Sequence, residues 1–402
     1  MNNKLPLTYI DLFAGCGGLS LGLYNAGWHG VFAIEKSDDA FKTLKHNLID
    51  KCEHFDWPTW LPQTNHDIYE VLDNYKTELT SLQGKVTLVT GGPPCQGFSM
   101  AGKRNEKDER NKLINAYIDF IDLVKPKMIF FENVRGFTVG FKKKNSRGEA
   151  YSEYVQNKLR GLNYTVKPEI IDFSEYGIPQ KRKRFILVGI LNGKVDDVKK
   201  FFINIKNNKA EFLKSKGLKE DTSLEEAISD LHKSNGIGKS DDRKNFDFGK
   251  YAEAITPYQK LMRNGKHKNS IADSHSFAKH TGKIIEKFKY ILKNAKRNIS
   301  INDSIKKEFD TLKRTTVPLD PKEQAPTLTT LPDDYIHYFE PRILTVREYA
   351  RIQSFPDWYE IKGKYTTGGE LRKKEVPRYT QIGNAIPPLF GEQSGEVLKE
   401  LI

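Results

Sequence analysis

Leu7-Thr8-Tyr9-Ile10-Asp11-Leu12-Phe13 is an apolar run that passes directly into Ala14-Gly15-Cys16-Gly17-Gly18, then into a helical pattern through Leu19, Leu21, Leu23 and Tyr24. That order reads as strand, glycine turn, helix. Working outward, residues 31–34 form a short apolar run ending at Glu35, and residues 86–90, 128–131 and 185–190 are further strand candidates. Helical patterns lie between them, including residues 113–124. The alternation predicts an α/β fold whose mostly parallel sheet is flanked by helices. Ligands of such sheets bind at the carboxyl ends of the strands, and every motif of the N-terminal half falls at one.

The chain has 402 residues, 38% hydrophobic and 29% charged, with a formal charge of +13. Its length predicts one large and one smaller domain, and its field attracts polyanions such as nucleic acid or an anionic membrane surface. With no apolar run long enough to span a bilayer and no signal-like N-terminus, a soluble, cytoplasmic protein without membrane association is expected. Cys16, Cys52 and Cys95 form no CxxC and share no ligand spacing with the histidines, so neither a disulfide framework nor a metal site is expected. After about residue 190 the alternation gives way to a lysine- and asparagine-rich region. Between residues 251 and 300 there are 11 Lys and Arg against 3 Asp and Glu. The positive charge is therefore local, although residues 282–297 also read as an amphipathic helix with an apolar stripe through Ile284, Ile285, Phe288, Ile291 and Leu292.

The glycine turn lets a nucleoside-bearing ligand approach the backbone, and Glu35 at the next strand end suits the two hydroxyls of a ribose. An adenosine-containing cofactor follows, either NAD or S-adenosylmethionine. Gly91-Gly92-Pro93-Pro94-Cys95-Gln96-Gly97-Phe98-Ser99 follows the third strand candidate. Two prolines stiffen the backbone before the cysteine, which makes its thiol a candidate nucleophile. Glu132-Asn133-Val134 ends one strand candidate, and Gln180-Lys181-Arg182-Lys183-Arg184 enters another.

In these motifs, PPCQ, ENV and QxRxR in this order and spacing, the chain resembles the DNA (cytosine-5)-methyltransferase family. The resemblance implies a Rossmann-like S-adenosylmethionine-dependent methyltransferase fold with a second, smaller DNA-recognition domain. It implies a catalytic domain of residues 1–190 and 376–402, and a target-recognition domain with hinge over 191–375. Cytosine C5 is a poor nucleophile, so a nucleophile must first add to C6. The resemblance gives that role to Cys95, places Glu132 at N3, and sends Arg182 and Arg184 to O2 and neighbouring phosphates. S-adenosyl-L-methionine would be held by Phe13, Gly15, Gly17, Glu35, Asp67, Ile68, Pro93, Leu113, Asn384 and Ala385. Lys36 stands where some members offer adenine an aromatic face.

The block from Arg342 through Arg347-Glu348 to Pro356 matches the element that organises the recognition domain. Residues 381–387, which include Asn384, resemble the element that folds back beside the first glycine loop. The substrate implied is double-stranded DNA with its target base flipped out, in a restriction–modification system with a cognate endonuclease. A transfer-RNA methyltransferase of the same family fits less well, because Gly97-Phe98-Ser99 and the long variable region depart from that branch. A non-catalytic DNA-binding protein leaves the intact catalytic set unused, and a nicotinamide-dependent dehydrogenase leaves PPCQ and QxRxR unexplained.

Overall fold

The computed structural model describes residues 7–94, 112–139, 142–143, 146–147, 150–311, 313–369, 371 and 375–402. The chain divides into two compact units. The first comprises Met1–Asp172, Lys183–Lys209 and Phe390–Ile402, and the second Phe173–Arg182 and Ala210–Leu389. These bounds differ from a division at 190 and 376. Helix Val195–Asn207 packs on the sheet of the first unit through Phe201, whose ring lies 6.0 Å from Phe130, whereas residues 376–389 stay with the second.

Strands β1 (Thr8–Leu12), β2 (His29–Ile34), β3 (Leu88–Gly91), β4 (Met128–Val134), β5 (Tyr164–Asp172) and β6 (Lys183–Leu191) form a sheet in the order β2-β1-β3-β4-β6-β5. The first four run parallel, and β6 is antiparallel to both β4 and β5. Helices α1 (Gly18–Asn25), α2 (Asp38–Leu44), α3 (Ile68–Asn74), α4 (Lys112–Val124), α5 (Tyr151–Gly161) and α6 (Val195–Asn207) accompany it. Alternate residues of β4 face opposite ways. Phe130 meets Phe201 of α6, while Phe131 meets Tyr117 of α4 at 5.3 Å, so helices cover both faces. Glu132 and Asn133 lie within β4 rather than beyond it, because pairing with β6 extends the strand to Val134. Strand β5 is not evident from the sequence. Its Pro168 interrupts the pattern, which is tolerated because β5 is an edge strand.

The C-terminal helix Pro388–Lys399 returns to α1. Trp28 Nε1 donates to the Gly395 carbonyl at 2.9 Å. Gly22 approaches so closely that a Cβ there would lie 2.5 Å from the backbone of Gly391 and Glu392.

The second unit is organised by buried ion pairs. Arg351 bonds Asp230 and Asp357, Arg347 bonds Asp273, and Arg342 bonds Glu340 and Glu348. Thr345 and Glu348 form the capping box that starts helix Val346–Ile352. The expected amphipathic helix is present as α7 (Gly282–Asn294), with Phe288 and Ile291 packed against Ile301, Ile305 and Ile336. Strands β7 (Ile237–Gly238), β8 (Phe248–Lys250) and β9 (Ile271–Ser276) form a small antiparallel sheet. Among the described residues no helix is long and apolar enough to cross a membrane.

A methyl group at Gly22 would force two backbones apart. Gly22→Ala is therefore expected to destabilise the fold by about 1–3 kcal/mol, despite alanine's better helix propensity. Urea unfolding checks this, and an unchanged or raised midpoint would contradict the close approach.

Candidate active site

The turn after β1 is built from left-handed backbone. Phe13 has φ 59°, Gly15 57° and Gly17 83°, the last at the N-cap of α1. Gly15 and Gly17 adopt this at little cost, whereas Phe13 is strained and is held by packing against the core. A Cβ added at Gly15 would meet nothing within 4 Å, so the turn borders open space.

Glu35, at the end of β2, fixes this turn by accepting from the Gly15 N–H at 2.9 Å and, with its other oxygen, from the Ser37 N–H at 2.6 Å. Burial raises its pKa above the usual carboxylate range. The Lys36 N–H also bonds this carboxylate, whose two oxygens keep acceptor capacity beyond these backbone bonds for a hydroxyl donor. Asp67 caps α3 by accepting from the Tyr69 N–H, and Lys36 reaches it at 2.7 Å. Lys36 thus organises the side of the site where an aromatic face was in question. The Ile68 side chain is buried in the core and anchors this loop. Leu113 is partly buried against the same core.

Beneath the turn lies Asp11, 2% exposed. It accepts from Ser20 Oγ of α1 and from Thr90 Oγ1 of β3 at 2.9 Å. Burial pushes its pKa up to about 6, against the lowering effect of the two hydroxyls. Asp11 therefore ties the cofactor-type turn to the strand that leads into Gly92-Pro93.

Cys95 and the rest of its loop, Gln96 to Ser99, lie outside the described residues. The approach to it is clear. The Asn133 side-chain amide donates to the Pro93 carbonyl at 3.1 Å, and a Cβ at Gly92 would sit 3.0 Å from Glu132 Oε2. Of the described cysteines, Cys16 is buried and its thiol is pushed up to about 12 by burial, so it is no nucleophile.

Glu132 and Arg184 form an ion pair with 2.9 Å between Oε1 and Nε, their side chains 12% and 11% exposed. The register explains it. Arg184 is opposite Val134, so Glu132, two residues back, is its diagonal neighbour on the same face. Because β6 is antiparallel, its first residues lie at the carboxyl ends of the parallel strands, where ligands of such sheets bind. Burial lowers the Arg184 pKa, with Glu132 opposing.

Arg182 requires a correction. Expected at the base and phosphates, it is 1% exposed in the second unit and donates to the carbonyls of Leu328, Gly383 and Ala385. It secures residues 383–385, including the exposed Asn384 and half-buried Ala385, to residue 328. A long charged side chain in an alternating motif gives no sign of which arginine turns inward. Asp11 and Asn133 were also not singled out as site residues. Their only sequence signal is a polar residue at a strand end beside a motif.

A mostly parallel sheet flanked by helices, with a glycine turn after β1 and an acidic residue ending β2, fits the α/β fold of the S-adenosylmethionine-dependent methyltransferases. The comparisons narrow this. Residues 7–400 match the family model of the C-5 cytosine-specific DNA methylases, and the chain belongs to that family. It is a DNA cytosine methyltransferase. The Type II methyltransferase M.DdeI of Desulfomicrobium norvegicum is 29% identical over 97% of this chain and 88% of its own. M1.HphI of Haemophilus parahaemolyticus, also a Type II methyltransferase, is 26% identical over 99% and 88%. A solved E. coli structure, described as a candidate DNA modification methyltransferase encoded within a prophage, shares the fold. Its TM-score is 0.63 at 22% identity, over 98% of this chain and 99% of that one.

The two arginines should separate experimentally. Arg182→Met strands buried carbonyls and is expected to cost roughly 2–4 kcal/mol in urea unfolding, whereas Arg184→Met should lose turnover far more than stability. Asp11 makes a pH prediction. Its folded pKa of about 6 lies above the unfolded value, so its stabilisation is complete below about pH 4 and is lost as pH rises through 6. Relative to Asp11→Asn, the wild type should lose about 3 kcal/mol between pH 4 and 7. Parallel pH dependences for the two proteins would refute the assignment.

Proposed function

We propose that the chain methylates C5 of a cytosine swung out of duplex DNA, using S-adenosylmethionine as donor and Cys95 as a transient covalent nucleophile. The observation that carries this reading is the Glu132–Arg184 pair, with Glu132 Oε2 facing Gly92 three residues before Cys95.

A thiolate must approach the face of the ring, which a stacked base hides, so the target nucleotide leaves the helix at a cost of a few kcal/mol. The Cys95 sulfur forms a bond to C6, and the ring electrons shift toward C5 and N3. Glu132 holds a proton at N3, and Arg184 bonds O2, so the charge that develops is met by groups already in place. When bound, S-adenosylmethionine supplies an electrophilic methyl on a sulfonium. With the S–CH3 bond broken and the donor left as a neutral thioether, loss of the C5 proton to a base would release the electron pair that expels the Cys95 thiolate and restores the double bond.

The turn fits the cofactor: the open space at Gly15, the remaining acceptor capacity of Glu35 and the carboxylate of Asp67 match a ribose and an exocyclic amine. Phe13, Gly17, Pro93 and Leu113 complete the wall. Asn133 fixes the Pro93 backbone, and Arg182 acts as a positioning residue. The second unit reads the DNA sequence. The names of the Type II relatives support a place in a restriction–modification system, with an endonuclease that cuts the same site.

The test is transfer of labelled methyl to unmethylated duplex DNA and, separately, to transfer RNA, with nucleoside analysis. Intact protein should yield 5-methyldeoxycytidine. Cys95→Ala should lose on the order of 10⁴-fold or more in rate, and Glu132→Gln about 10²–10⁴-fold. Label entering only RNA, or undiminished transfer by Cys95→Ala, would overturn the reading.

A further inference from the structure

One surface of the second unit gathers cations and aromatic rings that the chemistry above leaves unused. Phe339 is 65% exposed, more than any other aromatic side chain among the described residues, and it stacks on His232 at 5.4 Å and 24°. The Ser234 N–H donates to Glu340, which joins residues 232–235 to this ring. Next to it, Lys233 lies 5.3 Å over the Phe277 ring, and the Phe277 N–H donates to the Asp247 carbonyl. The Asp247 carboxylate accepts from Lys239 at 2.7 Å. That bond holds its pKa below the usual range, with the charges of Lys239, Lys233 and Lys279 adding to it. Arg243 and Lys279 lie over the Phe246 ring at 3.3 and 5.1 Å. Lys233, Lys239 and Lys279 thus gather near the Asp247 carboxylate, with Arg243 facing Lys279 across the Phe246 ring. Such a gathering is unfavourable by itself and is relieved when a polyanion neutralises it.

We propose that this surface is the face with which the second unit grips duplex DNA: Lys233, Lys239, Arg243 and Lys279 on phosphates, and the Phe339 ring, backed by His232, against the bases. This rests on the second unit being the DNA-reading unit. An exposed flat ring on an aromatic support suits stacking or wedging at a base step, and the spread of lysines around it suits the backbone on either side.

The test uses the full chain with a random-sequence 30-base-pair duplex, with affinity measured across roughly 50 to 200 mM salt, and with methyl transfer to unmethylated plasmid DNA. Lys239→Gln with Lys279→Gln should reduce the slope of log K against log salt by about 1.8, two phosphate contacts at about 0.9 each. Phe339→Ala should leave that slope unchanged, raise KM for plasmid DNA by about 5- to 100-fold and leave kcat unaltered. Lys283→Gln with Lys293→Gln, on α7, is the control and should change neither. A wild-type slope in the first pair, an equal loss in the control, or an unaltered KM in Phe339→Ala overturns the surface while methylation of DNA by the wild type still stands. Failure of the wild type to methylate plasmid DNA overturns the functional reading itself.

Discussion

The first unit depends on the hydrogen bonds that Asp11 accepts. A carboxylate buried at the end of β1 needs donors, and the two it has come from α1 and from β3. The glycine turn leaves β1 two residues later, and the Gly92-Pro93 segment leaves β3 two residues after Thr90. One buried group therefore sets the spacing between the glycine turn and the strand leading to Gly92-Pro93. Its energetic cost as an anion is large enough to raise its pKa, so the arrangement is maintained against a penalty that a purely structural apolar residue would avoid.

The reversed direction of β6 is the second constraint. A parallel strand would start at the end of the sheet remote from the ligand. An antiparallel one delivers its opening residues, Arg184 among them, to the carboxyl end of β4. Glu132 and Arg184 are then diagonal neighbours, and the acid and the cation are fixed relative to each other by backbone hydrogen bonds. The second unit uses charge differently. Its arginines Arg342, Arg347 and Arg351 are buried and paired, serving as struts whose loss would leave carboxylates stranded in a low-dielectric interior. Phe339, by contrast, is 65% exposed to solvent.

Much of this was legible in the chain before any coordinates. The strand, glycine turn and helix at the N-terminus, the strand-end Glu35 and Glu132, and the Pro-Pro-Cys segment are local patterns, and local patterns are what short-range backbone preferences encode. The apolar stripe of α7 was equally plain, because its period matches the helix. Membership in the cytosine-5 DNA methylases followed from the order and spacing of those motifs. What the sequence left undecided depends on contacts between distant residues. Arg182 and Arg184 are identical in type and two apart, yet one turns into buried carbonyls at 328, 383 and 385 and the other pairs with Glu132. Pro168 hid β5 until its edge position was known, and the domain bounds at 172, 182 and 209 follow from packing that no composition shift marks. Chemistry could be read from residue types in order. Which side of a strand each residue faces, and which buried polar group meets which donor, is set only when the sheet closes and desolvation forces every charge to find its partner.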